Sequence, residues 1–321
     1  MKIIVVDPNL APHRKRFEAL LPPGSDIGWF TGAAPEDELR DADVFVGSRF
    51  TAEMALAAHR LRLVHPAAAG TDRIAFDALA PGVLVANTFH HERSIAEYVV
   101  GAAVMLQRGF LTQDSRLRDG VWATSVYDSS IPQIPTLGEA HIGFVGFGHI
   151  GQCTWKLLQP FGCTAAAVTG SGKVADDTGL QWVGDTGRLD QLMRESDVVV
   201  VSAPLNSRTE GMIGAPQLEA LGPGGVLINV GRGPLVQERA LFDALAGDVI
   251  KGAAMDVWYR YPVDEIGCTP SDLPFEKLPN ILMTPHSSGV TRDTFAGRAG
   301  DVADNIGRLV RGEPLRNLVR G

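Results

Sequence analysis

Cysteine is scarce in this chain of 321 residues: Cys153, Cys163 and Cys268 form an odd set with no metal-ligand spacing. That argues against a disulfide framework and a thiolate metal site, and fits a reduced, cytoplasmic setting. Basic runs are missing as well. Lysine and arginine number 29 against 37 aspartates and glutamates, for a formal net charge of −8, whereas a nucleic-acid-binding face is basic. The densest basic cluster, Arg14–Lys15–Arg16, reads as a solvated helix face. No stretch approaches the roughly 18 uninterrupted apolar residues of a membrane span. Met1-Lys2 runs straight into the strand-like IIVVD, too short and wrongly flanked for a signal peptide. The expected partners are therefore small molecules, with neither nucleic acid nor membrane.

What is present is an ordinary globular balance, 45% apolar and 21% charged, on a length that suggests two domains. The most informative stretch is HIGFVGFGHIG, from His141 to Gly151. A buried strand should lead into G-x-G-x-x-G where a helix, from about His149 to Phe161, should begin. Gly146 allows the tight turn, Gly148 lets the backbone approach a pyrophosphate, and Gly151 lets the helix pack on its strand. His149 and Ile150 fall inside the same turn, and the helix start would aim free N–H groups at phosphates.

Two βαβ series flank this point. Apolar runs at Ile3–Val6, Asp43–Val46, Arg62–His65 and Val83–Ala86 alternate with helical patterns such as Pro12–Leu21 and Ala52–Arg60, a parallel-sheet signature. Residues 94–117 read as one long helix. The second series comprises Ile142–Val145, Ala165–Val168, Asp197–Ser202, Val226–Val230, Ile250–Ala254 and Ile281–Thr284, with Arg260–Lys277 as a loop. A final helix, Thr291 to Arg311, has no strand left to lead into and is long enough to return to the first domain. The expected organisation is an α/β protein with a discontinuous substrate domain (1–97 and 290–321) and an inserted dinucleotide-binding domain (98–289).

Four further motifs fall at strand ends, where open α/β sheets place ligands. They are Ser202-Ala203-Pro204-Leu205, Asn229-Val230-Gly231-Arg232-Gly233, Ala254-Met255-Asp256-Val257, and Thr284 to Gly289 (TPHSSG), which holds His286 and Ser288. With GFGHIG, these motifs, in this order and spacing, resemble the D-isomer-specific 2-hydroxyacid dehydrogenase family across essentially the whole chain. The resemblance implies two Rossmann-like or flavodoxin-like doubly wound parallel-sheet domains with a cleft between them. It also implies hydride transfer between a nicotinamide cofactor and a 2-oxo/D-2-hydroxy acid.

The residues suit that chemistry. Arg232 offers a planar fork of donors for a carboxylate and the adjacent keto oxygen. His286 is the natural proton donor, since the ordinary imidazole pKa of about 6.5 lies near working pH. The resemblance assigns the same roles to both. It also assigns the nicotinamide carboxamide to Asp256, for which a strand-end turn cap is the lesser alternative. It assigns substrate-carboxylate binding to the main-chain N–H groups of Ala69 and Gly70 in A68-A-G-T-D72, which read alone is an ordinary glycine turn.

Three departures stand out. The glutamate that the family pairs with its histidine, five residues after the aspartate, is Tyr261 here. A phenol orients an imidazole but stabilises its cation less. Tyr261 is favoured as the orienting residue, with Asp264 or Glu265 as the alternative. Ahead of S94-I-A-E97, where relatives often carry Asn, stands His91, placed either at the substrate or at a solvent-facing helix start. The acid that usually binds the adenosine ribose, about 20 residues past the fingerprint, is absent: Thr169 is followed by Gly170, Ser171, Gly172 and Lys173. Thr169, Ser171 and Lys173 would suit a 2′-phosphate, so NADP(H) is favoured over NAD(H), although Asp176 and Asp177 lie close.

Other readings stay open. Formate-specific relatives carry the Asn that is His91 here, and phosphite-specific ones a Lys in place of Ala69. A nucleotide-sensing binding protein, like the corepressors of this superfamily, would keep the fold without turnover. The substrate wall is expected to draw on Arg49, Phe50, His91, Trp258 and Tyr261. The segment to Ala140 is where family members form two-fold dimers, and Val126, Ile131 and Ile134 there would be buried against a partner in a homodimer.

Overall fold

The computed structural model describes residues 1–175, 177–262 and 267–321. In chain order its strands are β1 (Lys2–Val5), β2 (Asp26–Trp29), β3 (Val44–Val46), β4 (Leu63–His65), β5 (Leu84–Ala86), β6 (His141–Val145), β7 (Thr164–Val168), β8 (Trp182–Gly184), β9 (Val198–Val201), β10 (Val226–Asn229), β11 (Gly252–Met255), β12 (Ile281–Met283) and β13 (Leu318–Arg320). The chain divides into two compact units, Met1–His91 with Val290–Gly321, and Glu92–Gly289. The division falls at 91/92, so the helix Glu92–Gln107 lies whole in the second unit rather than being split at 97/98.

The first unit is built on a six-stranded sheet of order β13-β5-β4-β3-β1-β2, parallel except for β13. Successive side chains of a strand face opposite ways. Ile3, Val5, Val44 and Val46 therefore pack under Phe295, Ala299, Val302 and Ile306 of the helix Arg292–Arg311. Ile4, Phe45, Val64 and Val85 form the core on the other face with Phe50 and Leu79. Both faces are covered, which is why these strands read as unbroken apolar runs.

The second unit carries a seven-stranded sheet of order β12-β11-β10-β9-β6-β7-β8, all parallel. The order runs both ways from β6 and β9, the doubly wound arrangement. Val199 and Val201 face one core, and Val198 and Val200 the other. Ile95, Val99, Ala102, Ala103 and Leu106 of the helix Glu92–Gln107 fill the second core.

Some expectations need correction. The single helix over 94–117 is two, Glu92–Gln107 and Phe110–Arg118, parted at Gly109, whose φ of +66° is left-handed. A glycine adopts that conformation freely, and it ended a helix that apolar spacing alone would have continued. The helix at His149 runs to Leu158 and tightens to a 3₁₀ turn at Gln159–Phe161, where Pro160 lacks an amide donor. The final helix does lead into a strand: β13 pairs antiparallel with β5. The edge strands β2, β8 and β13 went unforeseen, because each is short and only partly buried. Val126 is 78% exposed in the single chain, as are its neighbours Trp122 (61%) and Tyr127 (68%), while Ile131 and Ile134 are half-buried.

Candidate active site in the second unit

The glycine turn after β6 fits a dinucleotide. Gly146 has φ +90°, and a Cβ there would lie 2.7 Å from the Ala203 amide nitrogen. Only glycine satisfies both demands. Around Gly148, at the N-cap of the helix His149–Leu158, a Cβ would meet nothing within 4 Å, which leaves room for a phosphate beside the helix start. Gly151 brings the helix against the turn: a Cβ there would come 2.9 Å from the Gly146 carbonyl. His149 and Ile150 open the helix, His149 exposed and 3.8 Å from the Glu92 carboxylate. Ser202 Oγ donates to the Gly146 carbonyl at 3.0 Å, tying the β6 and β9 ends together, with Ala203 buried and Pro204 exposed beyond.

After β7, the loop 169–173 folds on itself. The Lys173 N–H lies 3.2 Å from Thr169 Oγ1 and 3.3 Å from Ser171 Oγ, and both hydroxyls donate to the Lys173 carbonyl at 3.2 and 3.3 Å. Thr169, Ser171 and Lys173 are thus gathered in one small cup, with the Lys173 residue exposed. Asp177 has φ +64°; Asp176 lies outside the described residues.

The richest geometry lies beyond β10, β11 and β12. Their last residues are in register, Asn229 beside Met255 and Met255 beside Met283, so the segments that follow leave one sheet edge together. Asn229 organises the first: its Oδ1 accepts from the Gly231 N–H at 3.1 Å, and its Nδ2 donates to the Arg232 carbonyl at 3.0 Å. Val230 and Gly231 are buried, and Arg232 is half-buried with Nη1 donating to the Gly231 carbonyl at 2.8 Å.

Asp256 is 1% exposed and organises the third segment. Its Oδ1 accepts from Thr284 Oγ1 at 2.6 Å and the Ser287 N–H at 2.9 Å. Its Oδ2 accepts from the Ser288 N–H at 3.1 Å and, at very short range, the Ser288 hydroxyl. These donors occupy the lone-pair positions a carboxylate offers. The Tyr98 hydroxyl stands 3.1 Å from Thr284 Oγ1. Burial pushes its pKa up to about 12, so it remains a donor. His286, at the tip of the turn these contacts hold, is exposed with φ +57°. A left-handed histidine is a strained conformation of the kind that collects at functional sites. The ring of Tyr261 lies 5.6 Å from that of His286, tilted by 55°. Asp264 and Glu265, the alternative partners, lie outside the described residues.

In the first unit, Ala69 and Gly70 sit in the loop after β4, where Asn87 Nδ2 donates to the Ala69 carbonyl at 2.7 Å and the Thr88 N–H to the Ala68 carbonyl at 3.2 Å. His91 is half-buried and its ring stacks near Phe89, 6.3 Å away at 24°. The segment before it is clamped by the helix Arg292–Arg311: Arg298 Nε donates to the Phe89 carbonyl at 2.8 Å and Thr294 Oγ1 to the His90 carbonyl at 3.2 Å. Phe50, expected in a substrate wall, is instead a fully buried core residue packed 4.9 Å from Phe45; Arg49 is exposed. Trp258, expected in the same wall, is buried.

Sequence reasoning overlooked Tyr98, Ser287 and the polar contacts of Trp258. A tyrosine one residue past S94-I-A-E97 and a tryptophan two residues past Asp256 were visible, but their partners depend on strand register. Among the described residues, no group of three or more His, Cys, Asp or Glu is placed to hold a metal ion, and no helix is long and apolar enough to cross a membrane.

Comparison with known proteins agrees with this architecture. Residues 100–288 match the family model of the D-isomer specific 2-hydroxyacid dehydrogenase, NAD binding domain. The chain is 28% identical over 329 residues to D-3-phosphoglycerate dehydrogenase of Methanocaldococcus jannaschii, covering 99% of this chain but 59% of that longer protein. It is 31% identical over 301 residues to formate dehydrogenase 2, mitochondrial, of Oryza sativa subsp. japonica, covering 88% and 75% of the two chains. The NAD-complexed D-isomer specific 2-hydroxyacid dehydrogenase of Lactobacillus delbrueckii ssp. bulgaricus superposes with a TM-score of 0.83 at 23% identity over 100% of both chains. The doubly wound fold, the glycine turn after β6 and these matches place the chain in the D-isomer-specific 2-hydroxyacid dehydrogenase family.

Proposed function

We propose that this chain is a nicotinamide-dependent 2-oxo acid reductase that forms D-2-hydroxy acids and prefers NADPH. The observation that carries this reading is that Arg232 and His286 leave one sheet edge, after β10 and β12, with the turn of His286 held by Asp256 from the strand between them.

Gly146, Gly148, Gly151, His149 and Ile150 would hold the diphosphate, and Ala203, Pro204, Val230, Gly231 and Ser288 would flank the rest of the dinucleotide. When bound, the nicotinamide supplies the hydride. Arg232 anchors the substrate carboxylate and polarises the keto oxygen. Protonated His286 gives its proton to that oxygen as the carbinol forms, and Tyr261 orients the imidazole. Asp256 holds the His286 turn, and contact with the nicotinamide carboxamide would mean sharing one of its oxygens. In the first unit, Ala69 and Gly70 offer main-chain N–H groups to a carboxylate, and His91 contributes to substrate choice. The cup of Thr169, Ser171 and Lys173, two hydroxyls and a cation with Asp185 packed beside Gly172, supports 2′-phosphate binding.

We further propose a homodimer through the segment that exposes Trp122, Val126 and Tyr127, and a reduced, cytoplasmic setting, in keeping with three free cysteines. Sedimentation at the single-chain mass of 34.3 kDa would contradict the dimer. The functional reading is tested by initial rates of NADPH and NADH oxidation with glyoxylate, hydroxypyruvate, pyruvate and phenylpyruvate. Turnover with NADPH in excess over NADH is expected; dinucleotide binding without turnover on any of the four refutes the reductase.

A further inference from the structure

Trp258 is 4% exposed and touches all three segments that carry candidate catalytic residues of the second unit. Its indole N–H donates to the Thr284 carbonyl at 2.8 Å. That same oxygen accepts the His286 N–H at 3.1 Å, the bond that closes the tight turn at the left-handed histidine. Its main-chain N–H donates to the Tyr261 hydroxyl at 3.1 Å. Its carbonyl occupies the place a Cβ on Gly233 would need, directly beside Arg232. Phe275 packs edge-on against the indole at 5.9 Å and 73°, which fixes the plane of the ring.

We propose that Trp258 is a positioning residue: its indole N–H sets the turn of His286, while its main chain sets the phenol of Tyr261 and the turn of Arg232. A carbonyl oxygen has two lone pairs, and at Thr284 both are used, one by His286 and one by the indole. A phenylalanine at 258 would keep the packing against Phe275 but leave one lone pair of Thr284 without its donor. Nothing else in the Asp256 set replaces it, because those bonds reach Thr284 through its side chain and Ser287 and Ser288 through their own groups. The catalytic consequence rests on the reading of His286 as proton donor; the structural consequence does not.

The test compares the full chain with its Trp258→Phe variant by NMR of ¹⁵N-labelled histidine rings, with His286→Ala assigning the His286 signals, alongside steady-state kinetics and dinucleotide titration. The expected result is a moved His286 signal and kcat lowered about tenfold, since small misplacements of a reacting group are costly, with the oxo-acid KM and the NADPH Kd changed less than about twofold. Should Trp258→Phe fail to fold, benzothienylalanine placed at position 258 keeps the bicyclic shape while removing the N–H donor, and the same readouts apply. An unmoved His286 signal overturns the positioning role whatever the activity. A moved signal in a protein that reduces no oxo acid upholds the role and refutes the reductase reading instead.

Discussion

Asn305 and His65, separated by 240 residues of chain, meet in the core of the first unit: Asn305 Nδ2 lies 2.9 Å from His65 Nε2. The amide orientation is fixed by Arg316, whose N–H donates to Asn305 Oδ1 at 2.8 Å and whose carbonyl accepts from Nδ2 at 3.0 Å. Nε2 of His65 is therefore the acceptor, and Nδ1, 3.0 Å from the Pro66 carbonyl, carries the proton. A second proton on the ring would set two donors against each other.

Burial is the main reason that the His65 pKa falls to about 4. The unfolded chain takes up this proton near pH 6.5, the folded chain only near pH 4, so the unfolded state holds more protons between those values. Stability tied to His65 is present in full above about pH 6.5 and is lost as pH falls towards 4, a change of about 3 kcal/mol. Urea unfolding at pH 7.5, 5.5 and 4.5 should show a steeper loss for the parent chain than for His65→Gln. Parallel curves would refute the linkage.

Asn305→Leu keeps the branched outline of the side chain, with bulkier methyl groups, and removes every polar contact. His65 Nε2 and the Arg316 main chain then lose their partners, at a cost of about 2–3 kcal/mol. A lower urea midpoint with an unchanged slope is the expected reading.

His286→Ala should lower kcat at least about a hundredfold, the usual scale for a positioned general acid. Arg232→Lys should instead raise the oxo-acid KM about tenfold or more, because a point charge cannot reproduce the two-pronged contact. Wild-type turnover in the first variant removes His286 from the chemistry.

Lys173→Glu places an acid at the loop that gathers Thr169 and Ser171. The ratio of kcat/KM for NADPH to that for NADH should fall at least about tenfold, through repulsion of the 2′-phosphate. An unchanged ratio would show that the loop does not read the ribose.

Gly146→Ala meets two obstacles, the φ of +90° and an atom 2.7 Å from the Ala203 nitrogen. Backbone strain alone is about 1–2 kcal/mol. NADPH binding, followed by fluorescence titration, should weaken at least about tenfold.

Much of this could be read from residue order. The strand, glycine turn and helix at 141–158 announce themselves because periodicity and glycine placement are local signals. Arg232, Asp256 and His286 stand out because each follows an apolar run. What could not be read is whatever depends on register or on distant pairing. The indole of Trp258 finds Thr284 only because β11 and β12 align Met255 with Met283. Asn305 gives no sign of His65. Gly109 was visible, but the apolar spacing ahead of it, from Ile95 to Leu106, carried the reading past the break. Phe50, expected in the substrate wall, is claimed for the core by tertiary packing that residue order does not show.

The antiparallel pairing of β13 with β5 has a bearing on how the molecule is made. Residues 290–321 supply both that strand and the helix that roofs one face of β1 and β3. During synthesis, the sheet begun at Lys2 must wait, half-covered, until the ribosome has read through the whole inserted unit. Glu92–Gly289 can close on itself while its host is still missing a wall. The strands made first are then the last to be fully covered, and they are the ones in need of shelter.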